Sequence, residues 1–297
     1  MHMDFFDLLL VFNAEYPLQH DNDLSSAIRG LWGRSLKKLY CLQKQLDCRG
    51  CSMENCTYYV LFEKKFSSAE QYHPYIIQAH SQAPNRIEAK FKFFGWICNH
   101  YEKVIFSLLN LHNTTLIRGG TSSKISLQQI YDGLGNLMYS GEDTGITRPK
   151  LIKLRFKPQI ADEVELILKT PLRQKNQGLL MDRFAWEPFA KSLIHRIRSL
   201  DNHFNNNNLN IPLDIDISGV EILHNDTCWS EKIRVSFRQN EKMSIGGLIG
   251  SVRLRGISPD MIAVLKLARH LHAGKQCSFG NGEISLRNLS DQKDAPA

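Results

Sequence analysis

The sequence predicts an α+β chain made of two successive halves on one plan, strand-helix-strand-strand-helix-strand. Three observations carry that prediction. Apolar residues recur first at strand period and then at helix period, in matching order, on either side of residue 145. The stretch GEDTGITRPK, rich in turn formers and closed by a proline, separates the two series. With 42% hydrophobic residues over 297 positions, the chain has too many core formers for disorder and enough length for two ordinary domains.

In the first half, residues 5–16 read as a strand, and Asp23 stands where it caps a helix over roughly 24–40. On that helix Leu24, Ile28, Leu31, Trp32 and Leu39 form an apolar stripe, while Arg34, Lys37 and Lys38 share a polar face. A cysteine-rich loop follows. YYVLFE, YIIQA and IEAKFKFFG read as strands, residues 97–111 as a helix, and GGTSSKISLQQIYD and GNLMYSG as short strands hinged on glycines. In the second half, strands are expected at 151–158 and 163–170, before the helix pattern DRFAWEPFAKSLIHRIRSL. An asparagine-rich loop leads to strands at 213–224, 231–239 and 247–256, a helix at 259–272, a glycine-rich turn and a last strand, GEISL. Each half is therefore expected to be ferredoxin-like: an N-terminal domain at 1–145 with the cysteine insert at 41–56, and a C-terminal domain at 146–287. Residues 288–297 read as a polar tail.

Charge points to a polyanionic partner. The chain carries a net +7, and the basic residues fall in a pattern. In LIKLRFK, Lys153, Arg155 and Lys157 alternate with Ile152, Leu154 and Phe156, which at strand period gives one apolar and one basic face. Arg253 and Arg255 do the same around Val252 and Leu254. Four of the seven cysteines, Cys41, Cys48, Cys51 and Cys56, cluster at a spacing suited to a structural zinc or to a loop of reduced thiols. Four thiolates would leave no open position for catalysis, so no cofactor is expected to do chemistry. There is no run of 18 apolar residues and no basic leader, so a cytoplasmic protein without a membrane span is expected.

The glycine-rich turn, HAGKQCSFGNG, is the densest motif. It is not a P-loop: Arg269 stands where the first glycine belongs and Gln276 follows Lys275 in place of Ser or Thr. Neither H-E-x-x-H nor G-x-S-x-G occurs. Gly274, Gly280 and Gly282 would let a ligand approach and offer N–H groups to anionic oxygens, Lys275 would add charge, and Phe279 a stacking face for a base. The plainer reading is a tight helix-to-strand connection that needs glycine for its geometry.

These motifs, in this order, resemble the CRISPR-associated precursor-crRNA endoribonucleases of the RAMP superfamily. The resemblance lies in GGLIGSVRLRG, AVLKLARHLHAGK and SFGNGEISL at the C-terminal end, LILKTPLRQKNQG, HRIRSL and KIRVSFRQ before them, and AIRGLWGRSLKKLYC with its following cysteines in the first half. It implies two ferredoxin-like domains, CRISPR repeat RNA as partner, and metal-independent cutting that leaves a 2′,3′-cyclic phosphate and a 5′-hydroxyl. Such chemistry needs a base for the 2′-hydroxyl, an acid for the leaving oxygen and positive charge at the phosphate. His20, between the first strand and helix, is where the resemblance puts a catalytic histidine; Tyr16 lies close by in sequence. His272 beside the glycine turn is the rival. Lys275 and Arg34 are the candidates for phosphate charge, and Arg29, Lys37 and Lys38 extend the RNA-binding set. A family member that holds repeat RNA without cutting, as an effector-complex subunit, would show the same motifs.

Overall fold

The computed structural model describes residues 1–17, 23–43, 48, 51, 53, 56–65, 72–118, 121–141, 147–236 and 241–289. The chain divides into two compact units, Asp4–Lys153 and Met1–Met3 with Leu154–Ala297.

The first unit is built on β1 (Met3–Ala14), α1 (Ser25–Tyr40), β2 (Tyr75–Ala83), β3 (Arg86–Phe94), α2 (Tyr101–Leu109), β4 (Thr114–Arg118), β5 (Thr121–Asp132), β6 (Leu137–Tyr139) and β7 (Ile152–Leu154). The sheet runs β2-β3-β1-β5-β4, with β6 on β5 and β7 on β1. Antiparallel registers set Leu8 opposite Phe91 and Asp132, and Leu10 opposite Ala89 and Ile130. Alternation therefore sends Phe6, Leu8, Leu10 and Phe12 to one face, where they join Ile28, Leu31, Trp32 and Leu36 of α1 in the core. Trp32 is its centre. It is fully buried, meets Phe62, Tyr75, Phe91 and Phe93 ring to ring, and donates its indole N–H to Ser107 Oγ at 2.8 Å. An aromatic buried with its polar handle satisfied contributes on the order of 3 kcal/mol.

The N-cap of α1 is Leu24, which makes no side-chain cap bond, so Asp23 stands one residue before the cap it was expected to form and steadies the first turn through Ser25. Asp23 Oδ1 accepts from the Ser25 N–H at 3.1 Å and from its hydroxyl at 2.6 Å. The Ser25 hydroxyl in turn accepts from the Ala79 N–H, and Ala79 O accepts from the Leu24 N–H, so the helix start also closes the outer edge of β2. Leu39, expected in the buried stripe, is 41% exposed; after Leu36 it is Tyr40 that packs against the core.

Some expected elements change type. YYVLFE is not a strand but a single π-helical turn, Tyr59–Glu63. Its Phe62 ring lies against Trp32 and Tyr75, and Gly33 makes room for it: a Cβ there would sit 2.9 Å from the ring. Aromatic content suggested a strand, whereas packing on α1 demanded a turn. The expected helix over 97–111 is a 3-10 turn, Gly95–His100, leading into the shorter α2. The LIKLRFK strand ends at Leu154, so Arg155 and Lys157 lie on exposed irregular backbone and share no sheet face with Lys153.

The second unit contains β8 (Glu163–Leu172), β9 (Lys175–Asn176), β10 (Leu179–Leu180), α3 (Trp186–Asn205), β11 (Glu221–Ser230), β12 (Ile233–Ser236), β13 (Glu241–Ser244), β14 (Gly247–Arg255), α4 (Pro259–Leu271) and β15 (Ile284–Asn288). Its main sheet, β11-β14-β8-β15, has the ferredoxin-like order, with β9–β10 and β12–β13 as separate hairpins. β11 begins eight residues later than the 213–224 expectation: Pro212 and the turn at Ser218 and Gly219 precede it. Val164, Leu166 and Leu168 of β8 and Val252 and Leu254 of β14 are buried, as are Leu193, Ile197 and Leu200 of α3 and Ile262, Leu265 and Leu271 of α4. Ser258 caps α4 by accepting from the Met261 N–H, and Pro259 opens its first turn. The buried Arg196 of α3 closes the other end, donating to Leu271 O at 2.8 Å and His272 O at 3.1 Å. No described helix is long and apolar enough to cross a membrane.

Candidate functional site

In the second unit the end of α4, the glycine-rich turn and the β12–β13 hairpin meet. His272 leaves the helix at φ 59°, Gly274, Gly280 and Gly282 all have positive φ, and a short 3-10 turn, Cys277–Phe279, lies between them. The glycines answer to crowding. A Cβ on Gly274 would stand 2.7 Å from Arg173 O, and one on Gly282 only 1.8 Å from Ala273 O. The Gly280 N–H donates to Cys277 O and the Gly282 N–H to Pro171 O, so neither is left for a phosphate. The turn therefore follows its plainer reading at these two positions: the glycines serve close packing. Phe279 is 6% exposed and lies 4.2 Å from the Arg234 guanidinium, which occupies the face expected to stack on a base.

His272 is fully buried, and its Nδ1 lies 3.0 Å from Asn281 O. A ring closed off by the turn's own backbone is not placed to exchange a proton with bound RNA. The structure thus moves His272 from catalyst to structural member of the turn. Lys275 is different. Its N–H pairs with Arg173 O at 3.0 Å, which sets its backbone against the end of β8, while the side chain is exposed.

Three cations not named from the sequence gather at the turn. Arg173 donates to Gly246 O at 3.0 Å, Lys232 Nζ to Asn281 Oδ1 at 3.0 Å and Phe279 O at 3.3 Å, and Arg234 lies over Phe279. With Lys275 they form a cationic rim suited to phosphate oxygens. The signal was legible: Lys232 and Arg234 alternate with Ile233 and Val235 just as Lys153 and Arg155 do with their neighbours.

The open face of the main sheet is a correction in the other direction. Arg255 Nη2 lies 2.5 Å from Glu163, with Glu221 at 3.7 Å from Nη1, and Arg287 pairs with Glu165 at 3.0 Å. Arg253 stands opposite Glu165 in the register. Alternating signs make this face a charge-compensated ladder and not a wholly basic platform.

In the first unit, His20 lies outside the described residues. Tyr16 just past β1 is 60% exposed, with its N–H on Ser123 Oγ at 2.9 Å. Arg29 is turned inward: Nε donates to the Tyr75 hydroxyl at 2.9 Å and the guanidinium lies 4.9 Å from the Phe62 ring centre, so it serves the core more than a ligand. Lys37 is drawn to the Tyr58 ring at 5.4 Å, whereas Arg34 and Lys38 are exposed.

Cys41, Cys48, Cys51 and Cys56 are free and partly exposed. Burial raises the Cys48 thiol above its ordinary pKa; Lys37 pulls it down, while Glu63, Cys41 and Cys56 push it up. Among the described residues no group of three or more His, Cys, Asp or Glu is arranged to hold a metal ion.

Comparison with known proteins decides the family. A model of an N-terminal domain matches residues 3–151, and the model of the CRISPR-associated endoribonuclease Cas6 matches residues 166–284, which hold β14, α4 and the whole glycine-rich turn. Residues 166–284 thus match the Cas6 endoribonuclease family. Its fold is similar to that of a Cas6 product complex, with a TM-score of 0.59 at 13% identity over 95% of this chain and 100% of that one. A Thermus thermophilus Cas6 gives 0.53 at 12% identity over 97% and 100%. A partial Cas6-RT-Cas1–Cas2 complex gives 0.53 at 13%, covering 96% of this chain and 46% of that chain. At such identities the likeness is one of fold, and the fold is the tandem ferredoxin-like one. No curated protein sequence matches this chain.

Proposed function

We propose that this Cas6 protein is a metal-independent endoribonuclease that cuts CRISPR repeat RNA, converting precursor crRNA to crRNA. The observation that carries the reading is the Cas6 endoribonuclease match over residues 166–284. In the proposed step the RNA's 2′-oxygen bonds to the adjacent phosphorus as the bond to the 5′-oxygen breaks. The proton of the 2′-hydroxyl goes to a base, and an acid supplies one to the leaving oxygen. His20 is the proposed base and Tyr16 a candidate proton donor. In the second unit, the exposed Lys275 beside Arg173 is a proposed contact to RNA phosphate. Arg34 and Lys38, exposed on α1, add phosphate contacts.

The burial of His272 favours a second reading, a repeat-RNA-binding subunit of an effector complex that does not cut, because it leaves His20 as the one histidine carried forward from the sequence. End-labelled repeat RNA in excess EDTA separates the two. One discrete cut, abolished by a 2′-deoxy at a single position, is the expected result and would establish transesterification without metal. Tight binding with no cut would establish the binding subunit, and neither binding nor cutting would remove both. The four-cysteine zinc rests on spacing alone as a structural role. Metal analysis of the same preparation before chelation supports it at one zinc per chain and removes it at none.

A further inference from the structure

We infer that Asn281 is a positioning residue for RNA binding, which locks the base of the β12–β13 hairpin to the glycine-rich turn and so holds Arg234 over Phe279. The inference rests on the RNA-binding reading above.

Asn281 is fully buried, and both ends of its amide are spent on the hairpin. Nδ2 donates to Ile245 O at 2.6 Å, and Oδ1 accepts from Lys232 Nζ at 3.0 Å. Those two residues close the hairpin's base, since the Ile245 N–H donates to Lys232 O at 2.8 Å. Lys232 Nζ also reaches Phe279 O. Arg234, in β12 two positions after Lys232, lies 4.2 Å from the Phe279 ring centre. On the turn side, Asn281 O meets the His272 ring, and the left-handed backbone of Gly280 and Gly282 on either side fixes where the amide points. One residue therefore ties the turn both ways: its backbone carbonyl meets the His272 ring at the end of α4, and its side-chain amide holds the base of the hairpin. Removing it leaves a buried carbonyl short of its donor and an ammonium short of an acceptor, and the hairpin is free to lift. Asn281 has no exposure to RNA, so any change in affinity on its replacement must pass through the groups it places.

The test is repeat-RNA binding over a salt series for Asn281→Ala, Arg234→Gln and the double variant. Asn281→Ala is expected to weaken binding about ten-fold and to flatten the salt dependence by about one phosphate contact, as Arg234→Gln does. The double variant is expected to bind no more weakly than Arg234→Gln, because both changes remove one contact. Additive losses, or wild-type affinity in a folded Asn281→Ala protein, overturn the inference. If Asn281→Ala does not fold, Asn281→Asp carries the same cycle, since it keeps the Lys232 contact and loses the donor to Ile245. Hydrogen exchange without RNA separates this idea from the functional one. Faster exchange of the Glu241–Ser244 amides in the variant supports the clamp even if no repeat RNA binds, and unchanged exchange overturns it whatever RNA does.

Discussion

Replacing His20 by alanine is expected to slow cleavage of repeat RNA by about 10²–10⁴-fold while leaving affinity within about two-fold of wild type. The reasoning follows from what each group would supply. A positioned base acts only as the 2′-hydroxyl loses its proton, so its loss falls on the rate of the chemical step. The phosphate contacts act in ground and transition states alike and keep the RNA in place. Single-turnover kinetics with a separate binding measurement reads the two effects apart. An equal loss in rate and affinity would make His20 an RNA contact. A rate unchanged in both His20→Ala and Tyr16→Phe would remove the loop after β1 from the mechanism, and His272→Ala, which should act through stability, would not restore it.

Gly282→Ala is expected to cost more than about 3 kcal/mol of stability, or to prevent folding of the second unit, with RNA binding lost in step. Two penalties coincide there. The residue has φ 73°, and its Cβ would stand 1.8 Å from Ala273 O and 2.8 Å from that carbonyl carbon. Neither neighbour has room to retreat, because the Ala273 N–H is itself bonded to Gly282 O at 2.8 Å. Gly178→Ala is the control. Gly178 also has positive φ, at 85°, but nothing lies within 4 Å of its Cβ position, so only the backbone penalty of about 1–2 kcal/mol applies. Denaturant unfolding of the two variants compares them directly, and equal midpoints would show that the turn is not packed as tightly as its contacts imply.

Much of the fold was legible. Alternation in β1 and β14 and the helical spacing of α1 and α4 are local patterns, and the order of elements follows from reading them in turn. The failures share one cause. YYVLFE carries strand-forming residues, yet Phe62 is fixed by Trp32 and Tyr75, which lie 30 and 13 positions away, so a contact invisible to local pattern decided its conformation. LIKLRFK alternates for seven residues, but only three have a partner strand, and alternation without pairing is not a strand.

The site was less legible than the fold, for a related reason. The sequence alone determined the kinds of groups present: an excess of cations, a turn dense in glycine, histidines near both candidate loops, and an order of motifs that resembles one family. Which of these groups meets solvent was decided only by the tertiary structure. Arg255 is neutralised by Glu163, 92 residues away. Phe279 is covered by Arg234, and His272 is sealed in by Asn281. Lys275 and Arg255 are both exposed, but Arg255 shares its charge with Glu163 and Glu221. Periodicity reports which way a side chain leaves its own element. Charge compensation and burial depend on distances between residues far apart in the chain, and those exist only once the sheet, the helices and the hairpin have closed on one another.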